Sequence, residues 1–469
     1  MRSMSRKMGR QAVSTVNFEA MNRVPGQDGL LEVRGSIVPG MENVWYEYVP
    51  KCYDGTKPVP LVVQLHGGGN DGRRWAGYTI WHVLAERLGL IIVYPNSPDY
   101  ETWACQDREV QYLYDLIQHL CGKYAIDRSR VYMQGMSNGD QMTLAFTMVH
   151  PEVLAAAGYT TGPSHADILD GDRPTGALPI IQMRGELDIN WMLTPETEDI
   201  FATRYEMNDL NREIWLDVNG ARECLPALSI QGKDNFLYYA GKNAPIINWE
   251  IVGMGHREPV HGAQVYWDRL YSGCCRKNGQ IELNPPAEPV TADAGTFVIS
   301  MGSNKMYGPE GIVSFGRGDF GAARMFVPAV TGHFCPVETG EMAETEVICA
   351  PAEFFAAAMG AEIEYADAGE TCLLKLKDGR WITLRSQAVL YECDGVYKAL
   401  QKPCVLLCGS FYVPVGELCE QLFGSFVSVA DDVMCISDHY AVLGRYTARV
   451  LRGLLGGEMR PRRRYEWKG

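Results

Sequence analysis

Two kinds of apolar spacing alternate along residues 31–281. LVVQLH (61–66), IIVYP (91–95), RVYMQG (130–135) and LPIIQMRG (178–185) are short, nearly continuous apolar runs, the mark of strands buried on both faces. Between them Val110, Leu113, Leu116, Ile117 and Leu120 recur at helical spacing, and residues 141–149 read as a second helix. AAAGYT and NWEIVGM add further strand-like runs. Strands alternating with helices predict an α/β domain over 31–281, with a mainly parallel sheet covered on both faces.

The pattern breaks at NPPAEPVTADAG, where three prolines and few packable residues predict a linker over 282–295. Beyond it the strands are shorter and alternate, as in FVISMG and CLLKLKDG. Two helical segments follow, PAEFFAAAMG and PVGELCEQLFG. Each begins beside a proline, stops at a glycine and leads into a short strand. This weak repeat predicts a smaller α+β module of two repeats over 296–440, then a C-terminal helix and basic tail over 441–469. Residues 1–30 are expected to be loosely attached.

Composition narrows the function classes. The 469 residues carry a net charge of −14, and the basic cluster of Arg460, Arg462, Arg463 and Arg464 lies at the chain end, so nucleic acid is not an expected partner. No run approaches the roughly 18 apolar residues of a membrane span, so no membrane partner is expected. The N-terminal basic residues lack a following apolar region, which predicts a cytoplasmic location. The 14 cysteines form no CxxC pair and no matched ligand spacing. Neither a metal nor a cofactor is expected, and the thiols read as reduced.

The chemistry concentrates at Gly135-Met136-Ser137-Asn138-Gly139, a G-x-S-x-G string between a strand and a helix. A sharp turn there exposes a serine hydroxyl beside the positive end of a helix dipole, which makes Ser137 the candidate nucleophile. His66-Gly67-Gly68-Gly69 follows an upstream strand and can aim unobstructed backbone N–H groups at a developing oxyanion. The expected donors are Asn138 and Gly68, with Gly67 as the alternative. A serine needs a base, and a base needs an orienting acid, in the chain order Ser, acid, His. Asp188 in RGELDIN follows one strand, and His256 in VGMGHREP follows another, with Gly253 and Gly255 freeing its loop. Ser137, Asp188 and His256 are therefore the candidate catalytic set. Glu186 and Glu198 compete for the acid. Of the other histidines, His66 reads as a support for the oxyanion loop and His165 as a loop residue near the cleft.

These residues resemble a known family. PVPLVVQLHGGGNDG, DRSRVYMQGMSNGDQMTLAFTMVHPEVLAAAGYTTGP, PIIQMRGELDIN and VGMGHREP are similar, in order, to the polyhydroxybutyrate depolymerase and feruloyl/acetylxylan esterase group of α/β-hydrolases. The resemblance implies an α/β-hydrolase fold over about 32–276 and serine esterase activity. It implies substrates that are small esters, polysaccharide esters or polyesters. Two positions depart from the pattern: Arg184 stands where a histidine is usual, and Asp140 where a glycine is common. The stretch 296–437 resembles the stalk-like repeats named after the copper amine oxidase N-terminal domain, through FVISMGSNKMYGPEGIVSF and CGSFYVPVGELCEQLFG. It carries no copper ligand set. Such modules imply polymer binding, dimer contacts or a cover for the cleft, and they occur on exported proteins, against the cytoplasmic expectation.

Trp75, Trp103 and Trp191, with Tyr78, are the candidate aromatics of the cleft mouth, where rings could stack on an aromatic acyl group or a sugar. The leading expectation is a serine esterase on feruloyl, acetyl or related esters of plant polysaccharides. The alternatives are a polyhydroxyalkanoate-type depolymerase, a serine peptidase on the same scaffold, and a non-catalytic glycan-binding protein.

Overall fold

The computed structural model describes residues 30–38, 42–98, 102–162, 171–188, 204–283, 292–316, 321–328 and 344–456. The first half contains β1 (Leu31–Gly35), β2 (Asn43–Tyr48), β3 (Val59–Leu65), α1 (Gly72–Tyr78), α2 (Trp81–Leu88) and β4 (Ile91–Pro95). It continues with α3 (Asp107–Lys123), β5 (Ile126–Met136), α4 (Asn138–Val149), β6 (Ala156–Thr160) and β7 (Ile180–Gly185). After these come α5 (Arg204–Val218), β8 (Ala227–Gln231), β9 (Asp234–Tyr239), β10 (Ile246–Ile251) and α6 (Gly262–Arg269).

The ten strands form one sheet in the order β1-β2-β4-β3-β5-β6-β7-β10-β9-β8. The inner six are parallel. An antiparallel strand pair closes each side. The apolar runs are buried on both faces because alternate residues serve opposite helix layers. Leu61, Val63 and Leu65 pack with α3 residues Leu113 and Leu116 and α4 residues Met142 and Phe146. Val62, Ile92 and Tyr94 pack with Trp75, Trp81, Leu84 and Tyr266 on the other side. Helix α3 starts at a reciprocal cap between Gln106 and Glu109 and has Lys123 in its last turn, so its boundaries follow local chemistry.

A polar seam runs through the second layer. Gln134 accepts from the Trp81 indole and donates to Glu258, and Thr160 lies between Gln134 and the Tyr266 hydroxyl. Burial pushes the Glu258 carboxyl up to about 8, with Gln134 and Thr160 pulling it partly back, so it is mostly protonated at neutral pH.

The second half holds a five-stranded sheet built on the strand Thr296–Ser300, which pairs with the strand Val433–Ser437. It also holds a four-stranded sheet and a second five-stranded sheet. Two helices, Glu353–Met359 and Val415–Phe423, end at left-handed Gly360 and Gly424. The segment read as a bare linker, 282–295, departs from that expectation at both ends. A hairpin strand reaches Leu283, and Asp293 binds β8 through its backbone N–H to Leu228 and its carboxylate to the Ile230 N–H.

The two halves share one core. Val298, Tyr307, Val433, Cys435, Tyr446 and Leu451 belong to the same apolar cluster as Leu61 and Phe146. The Tyr307 hydroxyl accepts from Leu228 N–H at 2.9 Å and donates to Pro226 C=O at 2.8 Å. The C-terminal helix, Arg445–Leu454, is capped by a side chain from the sheet. Buried Glu250 of β10 accepts from Tyr446 N–H at 2.9 Å, and from Thr447 N–H and Oγ1 at 2.8 Å each. Buried Arg212 of α5 lies against the Tyr446 ring, paired with Asp209 and Glu213. Glu250 keeps its hydrogen-bond donors, and Arg212 its aromatic cover, only while this helix is docked.

Two outcomes follow. Glu250→Ala strands buried donors and should cost about 2–4 kcal/mol, read as a lower urea midpoint by tryptophan fluorescence. Glu258 holds its proton in the folded state to about pH 8, whereas the unfolded chain releases it near 4.5. Stability linked to it is therefore full below about 4.5 and lost as pH rises to about 8. Glu258→Gln should flatten that fall in a melting-temperature series from pH 5 to 9.

Candidate active site

The site sits at the C-terminal ends of adjacent parallel strands. β5 ends at Met136, β7 at Gly185 and β10 at Ile251, in the order β5-β6-β7-β10. Ser137 follows β5 at φ 59°, ψ −117°, a left-handed φ that costs energy for a residue with a side chain. The turn is held by Ser137 N–H donating to Thr160 C=O at 2.8 Å. Its tightness demands glycine: a Cβ at Gly135 would lie 2.0 Å from the Gly139 oxygen, and one at Gly139 would lie 2.4 Å from the Leu65 oxygen. Helix α4 thus starts at the serine and points its N-terminal dipole at the hydroxyl.

The glycine run lies against this turn. A Cβ placed on Gly67 would be 3.3 Å from Ser137 Cβ, and one on Gly68 would be 3.8 Å from Asn138 Cβ. His66 is buried behind it. Its Nδ1 donates to Gly67 C=O at 2.8 Å and its Nε2 accepts from Ser97 N–H at 3.1 Å, which fixes the neutral tautomer. Burial also pushes its pKa down. Asn138 exchanges hydrogen bonds with the Trp103 backbone at 2.6 and 3.0 Å, and the Trp103 indole donates to His66 C=O at 3.1 Å. His66, Trp103 and Asn138 therefore brace the backbone expected to hold the oxyanion.

Asp188 and His256 meet. His256 Nδ1 lies 3.1 and 3.2 Å from the two Asp188 carboxylate oxygens. The loops that carry them are stitched together, with Leu187 N–H donating to Met254 C=O at 2.8 Å and Glu186 N–H to Ile251 C=O at 3.0 Å. Glu186, the competing acid, is engaged elsewhere: its carboxylate accepts from Gly253 N–H at 2.9 Å and faces Arg445 at 3.7 Å. Glu198, His165 and Trp191 lie outside the described residues. Trp75 and Trp103 are buried, 3% and 2% exposed, so both rings pack against protein here, while Tyr78 is exposed. Among the described residues no cluster of His, Cys, Asp or Glu could hold a metal ion.

Sequence reasoning missed how the two departures from the family pattern relate. Arg184 Nη1 lies 3.4 Å from Asp140 Oδ2, and both side chains are buried directly behind the site. The available signal was a pair of opposite charges, one on the elbow helix and one on a buried strand.

Known proteins resemble the first half of this chain. Residues 46–171 match the family described as Esterase PHB depolymerase. Feruloyl esterase B of Neurospora crassa is 31% identical over 131 residues, covering 26% of this chain and 44% of that protein. A probable acetylxylan esterase A of Neosartorya fischeri is 29% identical over 160 residues, covering 30% and 42%. The match thus spans under half the length of these relatives. Among solved structures, the acetyl xylan esterase from Aspergillus awamori covers 51% of this chain and 97% of that one, at 21% identity and a TM-score of 0.40. By its sheet order, its elbow and its match over 46–171, the first half of this chain is an α/β-hydrolase domain similar to the esterase PHB depolymerase family.

Proposed function

We propose that this protein is a serine carboxylic-ester hydrolase acting through an acyl-enzyme, on feruloyl, acetyl or related esters of plant polysaccharides. The observation that carries the reading is the strained Ser137 elbow two strands from a bonded His256–Asp188 pair, on one edge of a parallel sheet. The acyl groups are suggested by the names of the similar proteins, feruloyl esterase B and acetylxylan esterase A. A hydroxyalkanoate polyester is the second reading, favoured by the family description matched over 46–171.

In this mechanism Ser137 Oγ attacks the ester carbonyl carbon while His256 Nε2 takes its proton. Asp188 accepts the Nδ1–H bond, holds the tautomer and stabilises the imidazolium. The Asn138 and Gly68 N–H groups donate to the oxyanion, with Gly67 as the alternative to Gly68. Collapse breaks the C–O bond, and His256 gives its proton to the departing alcohol. Water then attacks the acyl-enzyme, losing a proton to His256, and the carboxylic acid leaves as Ser137 is regenerated.

Hydrolysis of p-nitrophenyl acetate and methyl ferulate tests the reading. Ser137→Ala should abolish turnover of both, and Asp188→Asn should lower kcat by about 10³-fold or more. Turnover that survives Ser137→Ala overturns it. Release assays on acetylated xylan, feruloylated arabinoxylan and polyhydroxybutyrate then rank the acyl groups.

A further inference from the structure

Glu186 takes part in no step of that mechanism, yet its side chain crosses between the two loops that carry the acid and the base. It lies in the turn after β7, where Asp188 N–H donates to Gly185 C=O at 3.0 Å. Opposite is the turn after β10, where Met254 N–H donates to Ile251 C=O at 3.3 Å and Gly253 takes φ 73°. His256 follows two residues later.

The two turns are pressed together. A Cβ on Gly185 would lie 2.4 Å from the Met254 oxygen and 2.7 Å from the oxygen of Gly255, the residue before His256. Two backbone bonds run from the acid turn to the base turn, Glu186 N–H to Ile251 C=O at 3.0 Å and Leu187 N–H to Met254 C=O at 2.8 Å. A third bond returns the other way, from Gly253 N–H to Glu186 Oε2 at 2.9 Å. The Glu186 side chain is 11% exposed, and its Oε1 faces Arg445 Nε of the C-terminal helix at 3.7 Å.

We propose that Glu186 is a positioning residue for the acid–base pair: its carboxylate clasps the turn 251–254 to the acid turn and so sets His256 against Asp188.

The base loop needs such a clasp. Gly253 and Gly255 give it backbone freedom, and a Cβ at either would meet no atom within 4 Å, so packing around these two positions does not restrain it. The imidazole Nδ1 stands 3.1 and 3.2 Å from the two Asp188 oxygens, a geometry that depends on where the two loops sit relative to each other. A displacement of about 1 Å at a catalytic group costs about 100-fold in rate. What the clasp requires is an acceptor at the right reach rather than a charge. Glutamine keeps that reach, and aspartate, one methylene shorter, loses it.

The proposal rests on the esterase reading, and the test separates the two. If wild-type Ser137 is not labelled by a fluorophosphonate and no ester is turned over, the esterase reading fails. The hydrogen-bonded His256 Nδ1 proton, followed by NMR as a far-downfield resonance, still decides the clasp without turnover. Glu186→Ala should broaden or abolish that resonance and lower kcat on p-nitrophenyl acetate by about 10- to 100-fold, with KM changed less than about threefold. Glu186→Asp should resemble Glu186→Ala, while Glu186→Gln should keep the resonance and recover most of kcat. The Asp and Gln variants decide the matter if Glu186→Ala does not fold. A folded Glu186→Ala with wild-type kcat and resonance overturns the proposal. So does a loss carried by KM alone, or a Glu186→Gln protein no better than Glu186→Asp.

Discussion

The close approach of helix α4 to the sheet governs the geometry of the site. Two backbones meet where Gly135, Gly139 and Leu65 leave no room for a Cβ. Relaxing that contact would let Ser137 leave its left-handed φ and let the glycine run drift from the hydroxyl. The strain at one residue is sustained by packing on both sides, from Phe146 and Met142 below to His66 and Trp103 above. The hydrogen bond from Ser137 N–H to Thr160 extends the constraint to β6, and that from Thr161 N–H to Met183 extends it to β7. Nucleophile, oxyanion loop and acid-bearing strand are thereby parts of one rigid edge.

Ionisable side chains buried beneath this edge are held in fixed geometry at a cost in hydration. Asp140 with Arg184, Glu250 with the C-terminal helix, and Arg212 with Asp209 and Glu213 each surrender hydration for a fixed geometry. An apolar replacement would hold the layers together but would not dictate which strand end faces which loop. These groups are spread over α4, β7, β10 and α5, the elements that carry or flank the catalytic set. The second half of the protein enters this arrangement through Glu250 and Arg212. Its C-terminal helix supplies the donors and the aromatic ring that make them tolerable, so it braces the strand leading to the His256 loop.

Much of the domain was legible from local signals. The apolar run 61–66 and the helical spacing from Val110 to Leu120 give buried strands and an amphipathic helix because their neighbours do not override them. Ser137, Asp188 and His256 could be read in order because each follows a strand, and parallel strands deliver their ends to one edge. The antiparallel strands at the sheet's margins were harder to see. NVWYEY (43–48) carries Glu47 within a fully buried strand, where the Trp45 indole two residues back and the distant Lys123 and Tyr124 satisfy its carboxylate. The prolines of 282–295 suggested a bare tether, while Asp293 bonds to β8 through contacts that no local pattern encodes. Trp75 and Trp103 were read as rings of the cleft mouth, but Trp75 lies inside helix α1 and both rings are buried by packing that no local pattern encodes. Asp140 and Arg184 lie 44 residues apart and become partners only through the order of β5, β6 and β7 in the sheet.

The adjacency of Thr296–Ser300 to Val433–Ser437, and of the helix Arg445–Leu454 to β10, has a temporal meaning. The first domain's core includes Val433, Tyr446 and Leu451, contributed more than 170 residues after its last strand ends at Ile251. A chain emerging from the ribosome can form the parallel sheet early, but it cannot cover Arg212 and Glu250 until Tyr446 and Thr447 have been made. Acquisition of the finished active-site edge is thus coupled to synthesis of the helix Arg445–Leu454, and a chain that stops short of it presents an open apolar flank to chaperones and proteases.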